Sequence, residues 1–362
     1  MKSPAAEIRA EIEQDGPISF ARFMEKALYA PGSGYYERPR EIGRRGDFFT
    51  SVSVGPVFGA LLAFQFARWL EEIAPSASGR RQLVEAGAHD GQLALDVLNW
   101  LRQRKPEIFA SVDYWMIEPS PVRRAAQEKK LEGWPNVKWV KDTEELGALH
   151  VQGIIFSNEL LDAMPVHRLC WDAMEKKWME WSVDWKSNGF GWQKTPLSKE
   201  AAACLPAIDS AVEAVLPDGF IIELSPGASR WWTRAAGSLG NGKLLAVDYG
   251  FGDDEWLRPG LSTGTLRAYR GHRISENVLE DPGEQDITAH VNFPIVHTTG
   301  EAAGLRIGAL VRQSKFLTEI FQSGLKEGTG FQDWTSAEIR QFQTLTHPEH
   351  LGHRFRVLVQ ER

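Results

Sequence analysis

The chain has 362 residues, long enough for one large domain or two ordinary ones. A chain of that length can bury about three quarters of its extended surface, so a sizeable core needs no covalent staples. With 41 Lys and Arg against 48 Asp and Glu, the net charge of −7 argues against a non-specific nucleic-acid binder and leaves basic protein or peptide partners open.

Two cysteines, Cys170 and Cys204, are too few for a disulfide framework or a four-thiolate zinc site. Near the start, Glu7, Glu11, Glu13 and Asp15 surround Arg9, which argues against a signal or transit peptide. Gln65, Arg68, Glu71 and Glu72 interrupt the most apolar stretch, Val57 to Ile73, so it reads as a buried helix and not as a membrane span. The expectation from these features is a soluble, cytoplasmic protein in a reducing compartment.

In chain order, Phe20, Phe23, Met24, Ala27 and Leu28 follow helical spacing, with Ser19 placed as the cap and Pro31-Gly32-Ser33-Gly34 as the stop. A loop rich in Gly and Arg follows, up to Val54. From about residue 80 the pattern becomes strand and helix in alternation: strands at Gln82–Ala86, Tyr114–Ile117, Val137–Val140 and Ile154–Phe156, helices at Gln92–Arg104 and Val122–Leu131. Such alternation implies a parallel sheet covered by helices, with every strand's C-terminal end on one ligand-binding edge. Residues Val166 to Thr195 break the pattern with five of the chain's 14 tryptophans, and Asn188-Gly189 reads as a hairpin turn. An inserted antiparallel ribbon is expected there, its tryptophans mainly packing. Strands return at Phe220–Leu224 and Leu244–Asp248, an aperiodic stretch fills 250–285, and strands at Arg306–Arg312 and Phe355–Val359 complete the sheet. The organisation so read is a helical N-terminal region over 1–78, then a sheet domain over 79–362 with insertions near 166–240 and 250–290.

Three clusters carry the chemistry. In Val84-Glu85-Ala86-Gly87-Ala88-His89-Asp90-Gly91, a strand ends in a glycine turn that opens a helix, bringing free N–H groups and close backbone approach to a ligand. Taken alone, the same turn needs no ligand. Tyr114-Trp115-Met116-Ile117-Glu118 is an apolar strand ending in an acid, placed to accept two ribose hydroxyls, with a cap for the next helix as the lesser reading. The strand at Ile155-Phe156-Ser157 delivers Asn158, Glu159 and Asp162 to the same edge. Two carboxylates three residues apart can position a cationic nucleophile, bind a metal or cap a helix. No compact set of His and acid ligands accompanies them, so no metal is expected. His347, His350 and His353 have a spacing that invites a metal but fit a Pro- and Gly-bearing loop more plainly, and Asp286-Ile287-Thr288-Ala289-His290 reads as a helix start by its residues.

These blocks together resemble the MidA family of S-adenosylmethionine-dependent methyltransferases, whose mitochondrial members symmetrically dimethylate an arginine of a complex I subunit. The resemblance runs through Leu28-Tyr29-Ala30-Pro31 with Gly34-Tyr35-Tyr36, then Gly46-Asp47-Phe48-Phe49-Thr50-Ser51 with Val57-Phe58-Gly59, and the turn from Glu85 to Asp96. It continues with Glu118-Pro119-Ser120-Pro121, Asn158-Glu159 through Asp162 to Pro165-Val166, Val247-Asp248-Tyr249-Gly250 and Asp286 to Phe293, in order over most of the chain. It implies a Rossmann-like class I methyltransferase sheet, S-adenosylmethionine as cofactor and a protein or peptide substrate bearing arginine. The methionine part of the cofactor would lie on Glu85, Gly87, His89 and Gly91, and its ribose on Glu118, with Asn158 beside it. Glu159 would be the leading catalytic carboxylate, with Asp162 second and Glu223 third. Asp286 to His290 would form a wall of the active site. His89 stands where the family has the middle glycine of its turn, and Val52-Ser53 stand where it tends to have Pro-Glu. A bacterial origin is expected. Transfer to a small molecule or another side chain, and a silent scaffold of the same fold, are the competing readings.

Overall fold

The computed structural model describes residues 3–38, 50–75, 79–187, 189–270, 273–275, 277–328 and 330–362. The chain divides into two compact units. One holds residues 1–48, 161–230 and 251–295, the other 49–160, 231–250 and 296–362. The division differs from the expected boundary at residue 78. The helix Pro4–Asp15 falls in the first unit and the helix Val57–Glu72 in the second. Val57 to Ile73 reads as a buried helix from sequence, but only tertiary burial sorts the two helices into their units.

The second unit is built on a sheet of β1 Arg81–Ala86, β2 Val112–Ile117, β3 Val137–Val140, β4 Val151–Asn158, β5 Leu239–Phe251, β6 Arg306–Arg312 and β7 Phe355–Glu361. Side by side these run β6, β7, β5, β4, β1, β2, β3. The pairs from β5 across to β3 are parallel, and β7 is antiparallel to both β5 and β6. Parallel strands covered on both faces need apolar residues at nearly every position. The run Ile154-Ile155-Phe156 in β4 and Leu244-Leu245-Ala246-Val247 in β5 meet that demand, all of them buried. Helix Val57–Glu72 contributes Phe58, Leu61, Leu62, Phe64, Phe66 and Leu70 to the same core, and helix Gln92–Arg104 contributes Leu93, Val97, Leu98 and Leu101. This is the expected Rossmann-like class I methyltransferase arrangement.

The first unit carries the expected antiparallel insertion. Strands Ile18–Ser19, Lys177–Lys186, His167–Asp172 and Ile221–Leu224 lie in that order, with Gly189–Thr195 against Lys177–Lys186. Asn188 of the hairpin signal lies outside the described residues. Trp171 and Trp178 are buried against each other with ring centroids 5.4 Å apart, and Trp192 packs on Phe20 at 5.0 Å. Helix Phe20–Tyr29 starts as read, with Ser19 Oγ accepting the Arg22 N–H at 3.2 Å. Two expectations are corrected. The aperiodic 250–285 stretch contains strands Arg267–Arg270 and Arg273–Ser275, and Asp286–Thr288 pairs with the first of these instead of starting a helix. These strands are three or four residues long, too short to show a period.

The centre of the larger core yields a stability prediction. Phe156 is fully buried, 4.8 Å from the Phe66 ring and 6.4 Å from Tyr114. Phe156→Ala removes a filled ring site and should cost about 3–5 kcal/mol in denaturant unfolding. A loss near zero would mean that the strand is not packed as described.

Candidate functional site

The C-terminal ends of β1, β2, β4 and β5 gather the polar groups of the second unit. Leaving β1, the chain turns through Gly87 at φ +74°, His89 at +48° and Gly91 at +81°. Those left-handed values suit glycine and strain a histidine. A Cβ on Gly87 would sit 3.0 Å from Leu160 Cδ1, so the turn also needs its bareness. Gly91 then opens the helix Gln92–Arg104, with Asp90 Oδ1 accepting the Gln92 N–H at 3.1 Å.

Two ionisable groups at this turn are neutral near pH 7, for opposite reasons. Glu85 is buried inside the end of β1, where burial pushes its carboxyl up to about 8 despite a 2.5 Å hydrogen bond donated by the Tyr114 hydroxyl. Burial pushes the His89 imidazole down to about 4, with Arg123 adding to the effect. His89 Nδ1 is buried without a hydrogen-bond partner among the described residues.

Glu118, just past the end of β2, is buried and held on both oxygens. Oε1 accepts the Ser120 N–H at 2.9 Å, and Oε2 accepts a Gln127 Nε2 hydrogen at 2.8 Å. The first bond is made to Ser120, the residue before the helix Pro121–Lys130.

At the end of β4, Asn158 Nδ2 donates to Glu159 Oε1 at 3.1 Å, and the Ser51 N–H donates to the same oxygen at 3.2 Å. Glu159 has φ +51°, an uncommon conformation for a non-glycine residue. Its N–H reaches Val247 O at 2.9 Å, and the next N–H, of Leu160, reaches the fully buried Asp248 at 3.1 Å. Asn158 Oδ1 and Ser157 Oγ are buried without hydrogen-bond partners among the described residues.

The sheet edge thus brings together Glu85, Gly87, His89, Gly91, Glu118, Asn158 and Glu159. Asp162 and Glu223 belong to the other unit. Asp162 is buried there, its carbonyl accepting the Ala289 N–H at 2.9 Å. Glu223 accepts from the Thr265 N–H at 2.9 Å and lies 3.7 Å from Arg168 Nε, and burial raises its carboxyl. Three residues escaped the sequence reading as site members: Ser51, Asp248 and Gln127. Ser51 and Asp248 sat inside quoted motifs, while the fully buried Gln127 left no signal in a helix that otherwise reads as a solvated face. Of the block Gly46 to Ser51, residues 46–49 lie outside the described residues. Where the family tends to have Pro-Glu, Ser53 closes a turn on Thr50, each N–H bonding the other's hydroxyl at 2.8 and 3.0 Å.

Glu85 gives a pH prediction. With a folded value near 8 against an ordinary 4.5, the native state holds a proton that the unfolded chain releases. Stability from this group is full below the unfolded value and is lost as pH rises towards 8. Glu85→Gln, which keeps a neutral side chain of the same shape, should lack that loss. The difference in denaturation midpoint between variant and wild type should therefore grow in the variant's favour from pH 5 to 8.5. A constant difference would mean that Glu85 is ionised throughout.

Residues 61–311 match the Methyltransf_28 family, described as S-adenosyl-L-methionine-dependent methyltransferase. The chain is 28% identical over 402 residues to the Drosophila melanogaster protein arginine methyltransferase NDUFAF7 homolog, mitochondrial, covering 98% of this chain and 84% of that protein. The human protein arginine methyltransferase NDUFAF7, mitochondrial, is 25% identical over 379 residues, covering 95% and 80%. Among solved structures, a COG1565 superfamily member from Burkholderia thailandensis bound to S-adenosyl-homocysteine superposes with a TM-score of 0.82 at 29% identity, covering 99% of this chain and 92% of that one. The relatives' names overturn the expected cytoplasmic location, since they place these proteins in mitochondria. Composition reports acidity, not cellular address.

The residues at the strand edge fit an S-adenosylmethionine cofactor. A left-handed glycine turn, a buried acid one strand away, and three buried polar atoms without hydrogen-bond partners among the described residues (on His89, Ser157 and Asn158) offer acceptors and donors that a polar ligand would satisfy. The chain belongs to the Methyltransf_28 family and is an S-adenosylmethionine-dependent methyltransferase.

Proposed function

We propose that this methyltransferase modifies an arginine side chain of a protein, with Glu159 as the carboxylate that grips the guanidinium. The observation that carries the reading is the strained, over-determined backbone of Glu159. Left-handed non-glycine residues cost free energy and persist where surrounding contacts hold them, often at functional sites. Here Val247 O and the Asp248 carboxylate hold the two successive N–H groups, while Ser51 and Asn158 hold Oε1. The relatives named as protein arginine methyltransferases support the choice of acceptor.

The bound cofactor supplies an electrophilic methyl group on a sulfonium. The protein's task is to align and desolvate the acceptor, because in-line displacement gains most from positioning. A guanidinium is protonated at any working pH and has no free lone pair. A fixed carboxylate accepts its N–H groups, draws positive charge away from the attacking nitrogen and takes up the released proton. Glu159 is assigned that role. Glu223, engaged with Thr265 and close to Arg168, is assigned to holding its own unit together. On the cofactor side, the turn Gly87–Gly91 would take the methionine part and Glu118 the ribose, with His89 and Asn158 as neutral hydrogen-bonding groups. Glu85 supports the turn from below as a protonated, buried acid.

The test separates chemistry from binding. Glu159→Gln keeps the side chain's shape, so affinity for S-adenosylhomocysteine by calorimetry should hardly change. Transfer of labelled methyl to proteins of an extract should fall about 10²-fold. Asp162→Asn should fall less. Equal labelling by Glu159→Gln and wild type would remove the clamp. Symmetric dimethylarginine in the labelled product is the expected outcome, and label on a small molecule would favour the other acceptor class. His89→Gly relieves a left-handed histidine and should keep or tighten cofactor binding, with an unfolding midpoint no lower than wild type. Weaker binding would show that the imidazole itself contacts the ligand.

A further inference from the structure

Helix Pro121–Lys130 is strongly polar and mostly solvated, yet Gln127 on it is fully exposed to no solvent at all. Its amide is used almost completely. Nε2 donates to the His89 carbonyl at 2.9 Å and to Glu118 Oε2 at 2.8 Å, and Oε1 accepts the Trp139 indole N–H at 3.0 Å. One side chain therefore ties the glycine turn after β1 to the acid after β2, the two parts of the edge that must keep their spacing if one ligand is to span both. A second tie runs from Lys130 of the same helix to Asp90 and Gln92. Burying an amide costs free energy unless all its groups are paired, so this position selects a side chain with donors and an acceptor of that reach.

We propose that Gln127 is the positioning residue of the cofactor site, orienting the Glu118 carboxylate and fixing its distance from the His89 turn. The inference rests on the reading of Glu118 as a cofactor-binding acid. Glutamine suits the task because it presents two N–H donors and no charge. Leucine would leave the Glu118 oxygen and the His89 carbonyl without this donor. Glutamate of the same shape would set two carboxyl groups within hydrogen-bond distance, where both cannot be ionised cheaply. At lower pH the introduced carboxyl keeps its proton and donates it to Glu118. At higher pH the proton leaves and the two repel.

The experiment measures S-adenosylhomocysteine affinity by calorimetry on the full chain from pH 5.5 to 7.5, beside unfolding midpoints without ligand. The variants are Gln127→Glu, Gln127→Leu, Glu118→Ala and the double variant Gln127→Leu with Glu118→Ala. At each pH the affinity of Gln127→Glu is taken relative to wild type. Expected is a ratio that falls at least about tenfold as pH rises across that range, the size of one lost charge-assisted hydrogen bond. Gln127→Leu, if folded, should lose at least as much at every pH and add little to the loss already present in Glu118→Ala. A pH-independent ratio for Gln127→Glu, with Glu118→Ala clearly weakened, would overturn the positioning role while leaving Glu118 as a ligand. Unchanged affinity in Glu118→Ala would overturn the reading of Glu118 itself, and the proposal with it. A merely structural role for Gln127 would lower the unfolding midpoint without moving the pH dependence of binding.

Discussion

The parallel pairing of β4 between β1 and β5 is the constraint on which the site depends. Ala86, Ser157 and Ala246 stand in register across the three strands, so all three chains leave the sheet at the same edge. Just past that edge the ladder still demands a partner for the Glu159 N–H, and Val247 O supplies it. Asp248 takes the next N–H. Meeting both forces the chain through a left-handed residue, and a glutamate, not a glycine, occupies that position. Backbone satisfaction has set where a carboxylate stands.

The electrostatics of the neighbouring turn follow from burial in two directions. A buried carboxyl and a buried imidazole both favour their neutral forms, so Glu85 holds its proton and His89 lacks one near pH 7. The turn consequently presents backbone dipoles and neutral side chains. The helix Gln92–Arg104 begins there, and its free N–H groups favour negative or electron-rich groups of a ligand. Acidic side chains follow the strands on either side, Glu118 after β2 and Glu159 after β4.

In the first unit, Tyr36 donates to both oxygens of the buried Asp286 at 2.8 and 2.9 Å, and Glu223 sits near Arg168 and Thr265. These acids are tied into their own unit's frame. In the second unit, buried polar atoms on Ser157 and Asn158 lack hydrogen-bond partners among the described residues, as Arg168 Nε and Glu223 Oε1 do in the first. At the strand edge, a polar ligand would complete the atoms on Ser157 and Asn158.

The strand and helix order, the parallel sheet, the inserted ribbon and the glycine turn were legible in the sequence because each rests on local periodicity or on a residue type with one backbone use. Continuous apolar runs mark buried strands, and glycines at 87 and 91 mark left-handed turns. The short strands at 267–275 and 286–288 were not legible, being too brief for any period. Nor was the assignment of segments to units, since amphipathic helices look alike whichever core they cover. Among the site residues, the acids at 118 and 159 followed from strand ends. Gln127, Ser51 and Asp248 did not, because their roles come from hydrogen bonds between residues distant in sequence. The sequence by itself determined the kind of sheet and which edge would carry the chemistry. Only the tertiary structure decided which polar groups meet there, because burial and pairing are properties of the packed chain and not of any segment.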